Sequence, residues 1–134
     1  MYSVDAIQKM IEPLFPGLMG VRLVTATPEL IVGELEVRAD LCTAGGILHG
    51  GAYMAFADAL GAMGGVMNLA EGTRTTTLES KTNFLRGAPV GSTVTGEATP
   101  LHVGRRSSVW QTRITNDEGK LLALVTQTQM IIEA

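Results

Sequence analysis

Asp58 is the only formally charged residue between Asp40 and Glu71, and it stands in the middle of a run that reads as a buried helix. Nine residues earlier the same run opens with His49-Gly50-Gly51. An ionised carboxylate is costly to bury without partners, so a chain that keeps one there has a use for it. The glycines would leave bare backbone N–H groups at a helix start, about two and a half turns from the carboxylate. A hydrogen-bonding cradle and a basic oxygen, brought together, suit chemistry at a carbonyl.

The helix carrying Asp58 is expected over roughly Gly51 to Leu69, and its two faces differ in kind. Tyr53, Phe56, Leu60, Met63 and Met67 recur at three- and four-residue steps and form a bulky stripe able to pack on a curved antiparallel sheet. Gly51, Ala55, Asp58, Ala62 and Gly65 make the opposite face small. A small face admits a ligand or another backbone beside Asp58. It equally permits nothing more than tight packing, with Asp58 capping something local.

Around that helix the chain divides cleanly. Ser3 to Phe15 has helical spacing through Val4, Ile7, Met10 and Ile11, with Ser3 as N-cap and Pro13 and Pro16 as terminators. Val21 to Thr27 and Leu30 to Arg38 alternate as two strands about a Pro28-Glu29 turn, and Asp40 to Leu48 is aperiodic loop. After the long helix, four strands are expected: Thr75 to Leu85, Ser92 to Val103, Ser107 to Thr115 and Lys120 to Ile132. Gly87-Ala88-Pro89 closes the first, and Asn116-Asp117-Glu118-Gly119 turns a hairpin between the last two. The order is helix, two strands, long helix, four strands, without repeats or linkers.

At 134 residues this is one domain, residues 1–134. A net charge of −3 argues against a nucleic-acid binder, which is usually basic. The single cysteine, Cys42, excludes an intrachain disulfide and fits a reducing cytoplasm, and no secretory signal pattern opens the sequence. Leu41 to Ala70 has the length of a membrane span. Its central Asp58, its many glycines and the lack of Lys/Arg anchors at its ends speak against one.

The segment Gly46-Ile47-Leu48-His49-Gly50-Gly51, followed by Phe56-Ala57-Asp58, resembles the signature of hotdog-fold acyl-CoA thioesterases of the PaaI-like branch. These are similar to the 4-hydroxybenzoyl-CoA and other aromatic acyl-CoA thioesterases. The resemblance covers about Gly17 to Ile132 and implies an α+β hotdog domain, a long central helix wrapped by a curved antiparallel sheet. It further implies a dimer in which two sheets join, with active sites between protomers, and a dimer of dimers is expected. There the Gly50 N–H would polarise the thioester carbonyl, helped by the helix dipole, opposite the partner's Asp58. Asp58 would be either a general base on water or a nucleophile forming an anhydride. Thr77, nineteen residues after the acid, stands where relatives place a hydroxyl that orients water. Thr43, six residues before His49, stands where relatives carry Asn or Gln for the carbonyl or the attacking water; a hydroxyl lacks the amide's reach.

Other residues carry weaker signals. His49 could be a base, a metal ligand or a loop-orienting residue, and the last fits best, with a hydrogen bond near the thioester. With His102 as the only other histidine and Cys42 the only thiol, soft metal ligands are too few, and no cofactor is expected. A Cys42–His49 nucleophilic pair has no supporting spacing. Gly104-Arg105-Arg106 is a turn whose paired guanidinium groups suit the phosphates of coenzyme A, as the resemblance suggests, or simply water; Arg86 is a second candidate, and Gly51 would border the ligand. Glu79 and Lys81 read as an exposed charge pair. Residues 45–51 lack the Lys-Ser/Thr of a P-loop. Two rival functions remain: a non-catalytic acyl-CoA-binding hotdog protein, and a hotdog hydratase or dehydratase, which would need a helix histidine that is absent between Gly51 and Ala70.

Overall fold

A computed structural model describes residues 2–134. In chain order it contains α1 (Val4–Ile11), α2 (Phe15–Met19), β1 (Arg22–Thr27), β2 (Leu30–Glu36), a 3-10 turn (Ala39–Leu41), α3 (Gly50–Met67), β3 (Thr73–Phe84), β4 (Thr93–Val103), β5 (Ser107–Thr115) and β6 (Leu121–Glu133). The strands form one antiparallel sheet in the order β1-β2-β4-β5-β6-β3, and α3 lies across all six. This is the expected hotdog arrangement. Among the described residues no helix is long and apolar enough to cross a membrane.

The N-terminal segment differs from the single helix expected. Ser3 caps α1 by accepting from the Ala6 N–H, but the helix ends at Ile11. Pro16 then sits in the first turn of a second helix rather than after the first. There its missing N–H costs nothing, because first-turn donors have no helical acceptor. Arg38 holds the far end of α2, donating to the carbonyls of Leu18 and Met19. The same guanidinium donates to Asp40 and holds that exposed carboxyl below its ordinary range.

Reciprocal notches set the distance between α3 and the sheet. Gly33 and Gly96 face each other on β2 and β4, and Phe56 and Leu60 of α3 fill the dent. A Cβ at Gly96 would lie 2.5 Å from Leu60 Cδ1. In the other direction, Gly61 and Gly64 of α3 make room for Gln127 and Trp110 of the sheet. Phe56, Leu60, Trp110 and Gln127 are all fully buried. Such mutual fitting is how interiors reach crystal-like packing. Gly65, expected on the open face, is instead buried against Thr75 and Gln129.

β3 ends the sheet, and its outer edge has no neighbouring strand within the chain. A free edge 12 residues long is a template for pairing with another chain. Its register against β6 shifts between Thr77 and Glu79, a bulge at Leu78. Before the bulge the half-buried residues are Thr73, Thr75 and Thr77; after it they are Ser80 and Thr82. Glu79 and Lys81 do not pair with each other: Glu79 accepts from Thr128, and Lys81 donates to Asn83.

Candidate active site

α3 begins at Gly50 because His49 caps it. His49 has extended backbone angles, and its Nδ1 accepts the Gly51 N–H at 2.8 Å. That bond uses one of the donors every helix start leaves unmatched. The Gly50 N–H has no acceptor among the described residues. It lies beside a hollow of ≈ 340 Å³ bordered by Thr43, Tyr53, Phe84 and Arg86. The place a Gly50 side chain would occupy is 3.3 Å from the Phe84 ring. Tyr53 lines this hollow and donates its hydroxyl to the Arg86 carbonyl, and burial pushes its phenol up.

Asp58 is half-buried on the small-residue face of α3. It borders a different hollow, ≈ 390 Å³, whose other walls are apolar: Ile11 and Phe15 from the N-terminal helices, and Ala55, Ala62, Met63 and Val66 from α3. Thr77 Oγ1 on β3 donates to Asp58 Oδ1 at 2.7 Å. Gln127 Nε2 on β6 reaches the same oxygen at 3.3 Å. Gln129 Nε2 donates to Thr77 Oγ1 at 2.7 Å, and Thr75 Oγ1 donates to Gln129 Oε1 at 2.9 Å. Both glutamines are completely buried.

The structure therefore brings Asp58 and Thr77 together, and His49, Gly50 and Thr43 together, but not the two groups. Gly50 and Asp58 are eight residues apart on one helix, about 12 Å at 1.5 Å per residue. No single carbonyl touches both within one chain. Thr43 is exposed, its hydroxyl accepting from the Gly45 N–H at 3.2 Å in a local turn. Gly51 is exposed at the helix start and, with His49, lines the hollow under α2. Arg86, Arg105 and Arg106 are exposed. Met130 pairs with both Ser107 and Thr76, so the Arg105-Arg106 turn lies at the Thr76 end of β3, away from Gly50. Cys42 donates its thiol to the Arg38 carbonyl and is not bonded to His49. Among the described residues no group of three His, Cys, Asp or Glu side chains could hold a metal.

Gln127 and Gln129 are the residues that sequence reasoning missed. Their signal is Thr126-Gln127-Thr128-Gln129 inside an otherwise apolar strand. Alternation puts both amides on the face of Ala123 and Val125, the core side, where a polar residue needs a partner.

Residues 45–123 match a family model described as the thioesterase superfamily. The chain is 28% identical to the 1,4-dihydroxy-2-naphthoyl-CoA hydrolase of Escherichia coli, over 97% of this chain and 95% of that one. It is 36% identical to the proofreading thioesterase EntH of Klebsiella pneumoniae, over 68% of this chain and 66% of that one. In eight of the curated relatives the matched segment spans from 52% to 95% of the relative's own length. The crystal structure of thioesterase HI1161 from Haemophilus influenzae superposes with a TM-score of 0.94 at 27% identity, covering 99% of this chain and 92% of that one.

Proposed function

The chain belongs to the thioesterase superfamily, and on that footing we propose that it hydrolyses acyl-CoA thioesters to a free acid and coenzyme A, using Asp58 of one protomer and the Gly50 N–H of another. The observation that carries the reading is the isolated carboxylate, hydrogen-bonded on one oxygen by Thr77 and open to an apolar hollow. As a base, Asp58 takes a proton from water whose oxygen bonds to the carbonyl carbon; the C–S bond breaks and the departing thiolate takes the proton. As a nucleophile, a carboxylate oxygen bonds to that carbon and the C–S bond breaks to release the thiolate; water then cleaves the anhydride, regenerating the carboxylate and supplying the proton that the thiolate takes up. Either route builds negative charge on the carbonyl oxygen, which the unmatched Gly50 N–H and the helix start stabilise.

The separation of about 12 Å between Gly50 and Asp58 along one helix supports a site shared with a partner protomer. Gly50 abuts Phe84 and Asp58 is bonded to Thr77, both on the free-edged β3. Two β3 edges paired antiparallel about an axis near Ser80–Lys81 set Phe84 of one protomer opposite the partner's Thr77. The Gly50 N–H then meets the partner's Asp58, and two sites form per dimer. Thr43 borders the Gly50 hollow and takes the place of an amide at the carbonyl or the water. His49 fixes the loop through its cap, and Gly51 borders the ligand. Thr77 orients the carboxylate and, with its remaining lone pair, the water. Arg105, Arg106 and Arg86 take the phosphates of coenzyme A. A dimer of dimers in the cytoplasm completes the proposal.

The exposed Thr43, engaged in its own turn, favours a second reading: a protein that binds acyl-CoA without cleaving it. Thiol release over a panel of aryl and fatty acyl-CoAs separates the two. The thioesterase frees coenzyme A from at least one ester, and Asp58→Ala lowers that kcat by about 10²–10⁴-fold with the fold intact. Near-normal hydrolysis by Asp58→Ala contradicts the mechanism; saturable binding without thiol release supports the alternative.

A further inference from the structure

The direction of every hydrogen bond around Asp58 follows from one fixed point. A carboxylate only accepts, so the 2.7 Å contact between Thr77 Oγ1 and Asp58 Oδ1 carries the threonine's single proton. The Thr77 oxygen can then meet Gln129 at 2.7 Å only as an acceptor, which turns the amide Nε2 towards it. The other end of that amide, Oε1, accepts from Thr75 Oγ1 at 2.9 Å. Were Gln129 reversed, its Oε1 would compete with Asp58 Oδ1 for the single proton of Thr77. Gln127 Nε2 adds a second donor to the same carboxylate oxygen at 3.3 Å. Among the described residues every side-chain hydrogen bond of Asp58 therefore ends on Oδ1, and Oδ2 has none.

We propose that Gln129 is a positioning residue for the hydrolysis: acting through Thr77, it anchors Asp58 Oδ1 and reserves Oδ2 as the oxygen that takes the proton or attacks the carbonyl carbon. The inference rests on the thioesterase reading above. Gln129 is fully buried behind Thr77 and touches no reacting atom. Its amide is held from both ends, by Thr75 and by Thr77, so a rotation of the threonine hydroxyl away from Asp58 would break two hydrogen bonds together. The bulge at Leu78 follows directly, which makes Thr77 the last inward residue of its register on β3. Bulges beside active sites re-aim side chains in this way.

The test is a mutant cycle read in thiol release, with thermal melts alongside. Gln129→Met keeps the length of the side chain, and Thr75 retains the Met130 carbonyl as an acceptor at 3.2 Å. The expected result is a fall in kcat of about tenfold with KM changed less than about twofold, the loss of an interaction that matters in the transition state. Gln129→Leu also removes the donor to Thr77 and should show the same fall in kcat; it decides the matter if the Met variant does not fold. In a Thr77→Val background Gln129→Met changes kcat by less than about twofold, because its route to Asp58 is already cut. A purely structural role would leave the two losses multiplicative. Multiplicative losses, or wild-type kcat in both Gln129 variants, overturn the inference while the thioesterase reading stands. A wild-type protein that frees no thiol from any ester overturns the reading and the inference with it.

Discussion

Gly64→Ala sets two well-measured effects against each other. In a helix interior alanine is favoured over glycine by about 1 kcal/mol. Here the added Cβ would lie 2.6 Å from two atoms of the Trp110 indole and 2.8 Å from a third. Carbon atoms rest about 3.5–4.0 Å apart, so the shortfall is roughly 1 Å. Trp110 cannot supply that space by rotating: it is completely buried, its Nε1 donates to Ser108 at 3.0 Å, and its strand is paired on both sides. The helix must lift or the sheet must bend, and overpacking of this kind costs about 1–3 kcal/mol, with a rigid ring at the upper end. The net effect is a destabilisation of about 1–2 kcal/mol, near 4–8 °C in Tm for a domain of this size. Gly65→Ala is the matched control. Its Cβ would meet Thr75 and Gln129 at 3.3–3.5 Å, which neighbours can absorb, so most of the helical gain survives. Circular dichroism melts at equal protein concentration compare the two. A Gly64→Ala protein melting at or above Gly65→Ala would refute the notch-and-indole account of how α3 seats on the sheet.

Gly50→Pro deletes the proposed carbonyl donor while respecting the helix, since proline suits a first helical position and His49 already has φ −63° and ψ 139°. Its kcat in thiol release should fall by about 10²–10³-fold with the melting temperature little changed. Arg105→Ala with Arg106→Ala should raise KM for acyl-CoA and leave kcat alone, and the effect should shrink in high salt, measured as KM against ionic strength. Arg38 holds Asp40 below the ordinary carboxylate range, so Asp40 contributes stability above its unfolded pKa and loses it as pH falls through the folded value. Asp40→Asn should accordingly melt slightly below wild type at neutral pH, and the gap should close in acid, in melts run across pH.

Much of the fold was legible because two periods dominate the chain. Alternation in Leu30 to Glu36 marks a strand, and the Tyr53–Phe56–Leu60–Met63 stripe marks the buried side of α3. The ends of α3 fall within two residues of expectation because a capping side chain and Asn68, which donates to the Gly64 carbonyl, sit at its ends. Pro16 misled because proline stops one helix and starts another by the same missing N–H. Gly61 and Gly64 read as part of a small-residue helix, but their purpose lies in Gln127 and Trp110, more than forty residues away, and no local period carries such a contact. Gly65 shares a stripe with Asp58, yet the later turns of α3 settle against Thr75 and Gln129. At the site, Asp58 announces itself by being the lone charge in its run. Its hydrogen-bond anchor is assembled from β3 and β6, and only the pairing of those strands brings Thr77 and Gln129 face to face.

In the proposed dimer each site takes its carbonyl donor from one chain and its carboxylate from another. This sharing is tested by mixing Asp58→Asn and Gly50→Pro protomers, co-expressed with different tags and purified as mixed oligomers. Each parent alone should be inactive in thiol release. A mixed dimer holds one site with both defects and one site with neither, so it should recover close to half of wild-type kcat per dimer. If the mixed oligomers form and remain as inactive as the parents, Gly50 and Asp58 work within one chain or not at all, and the account is wrong.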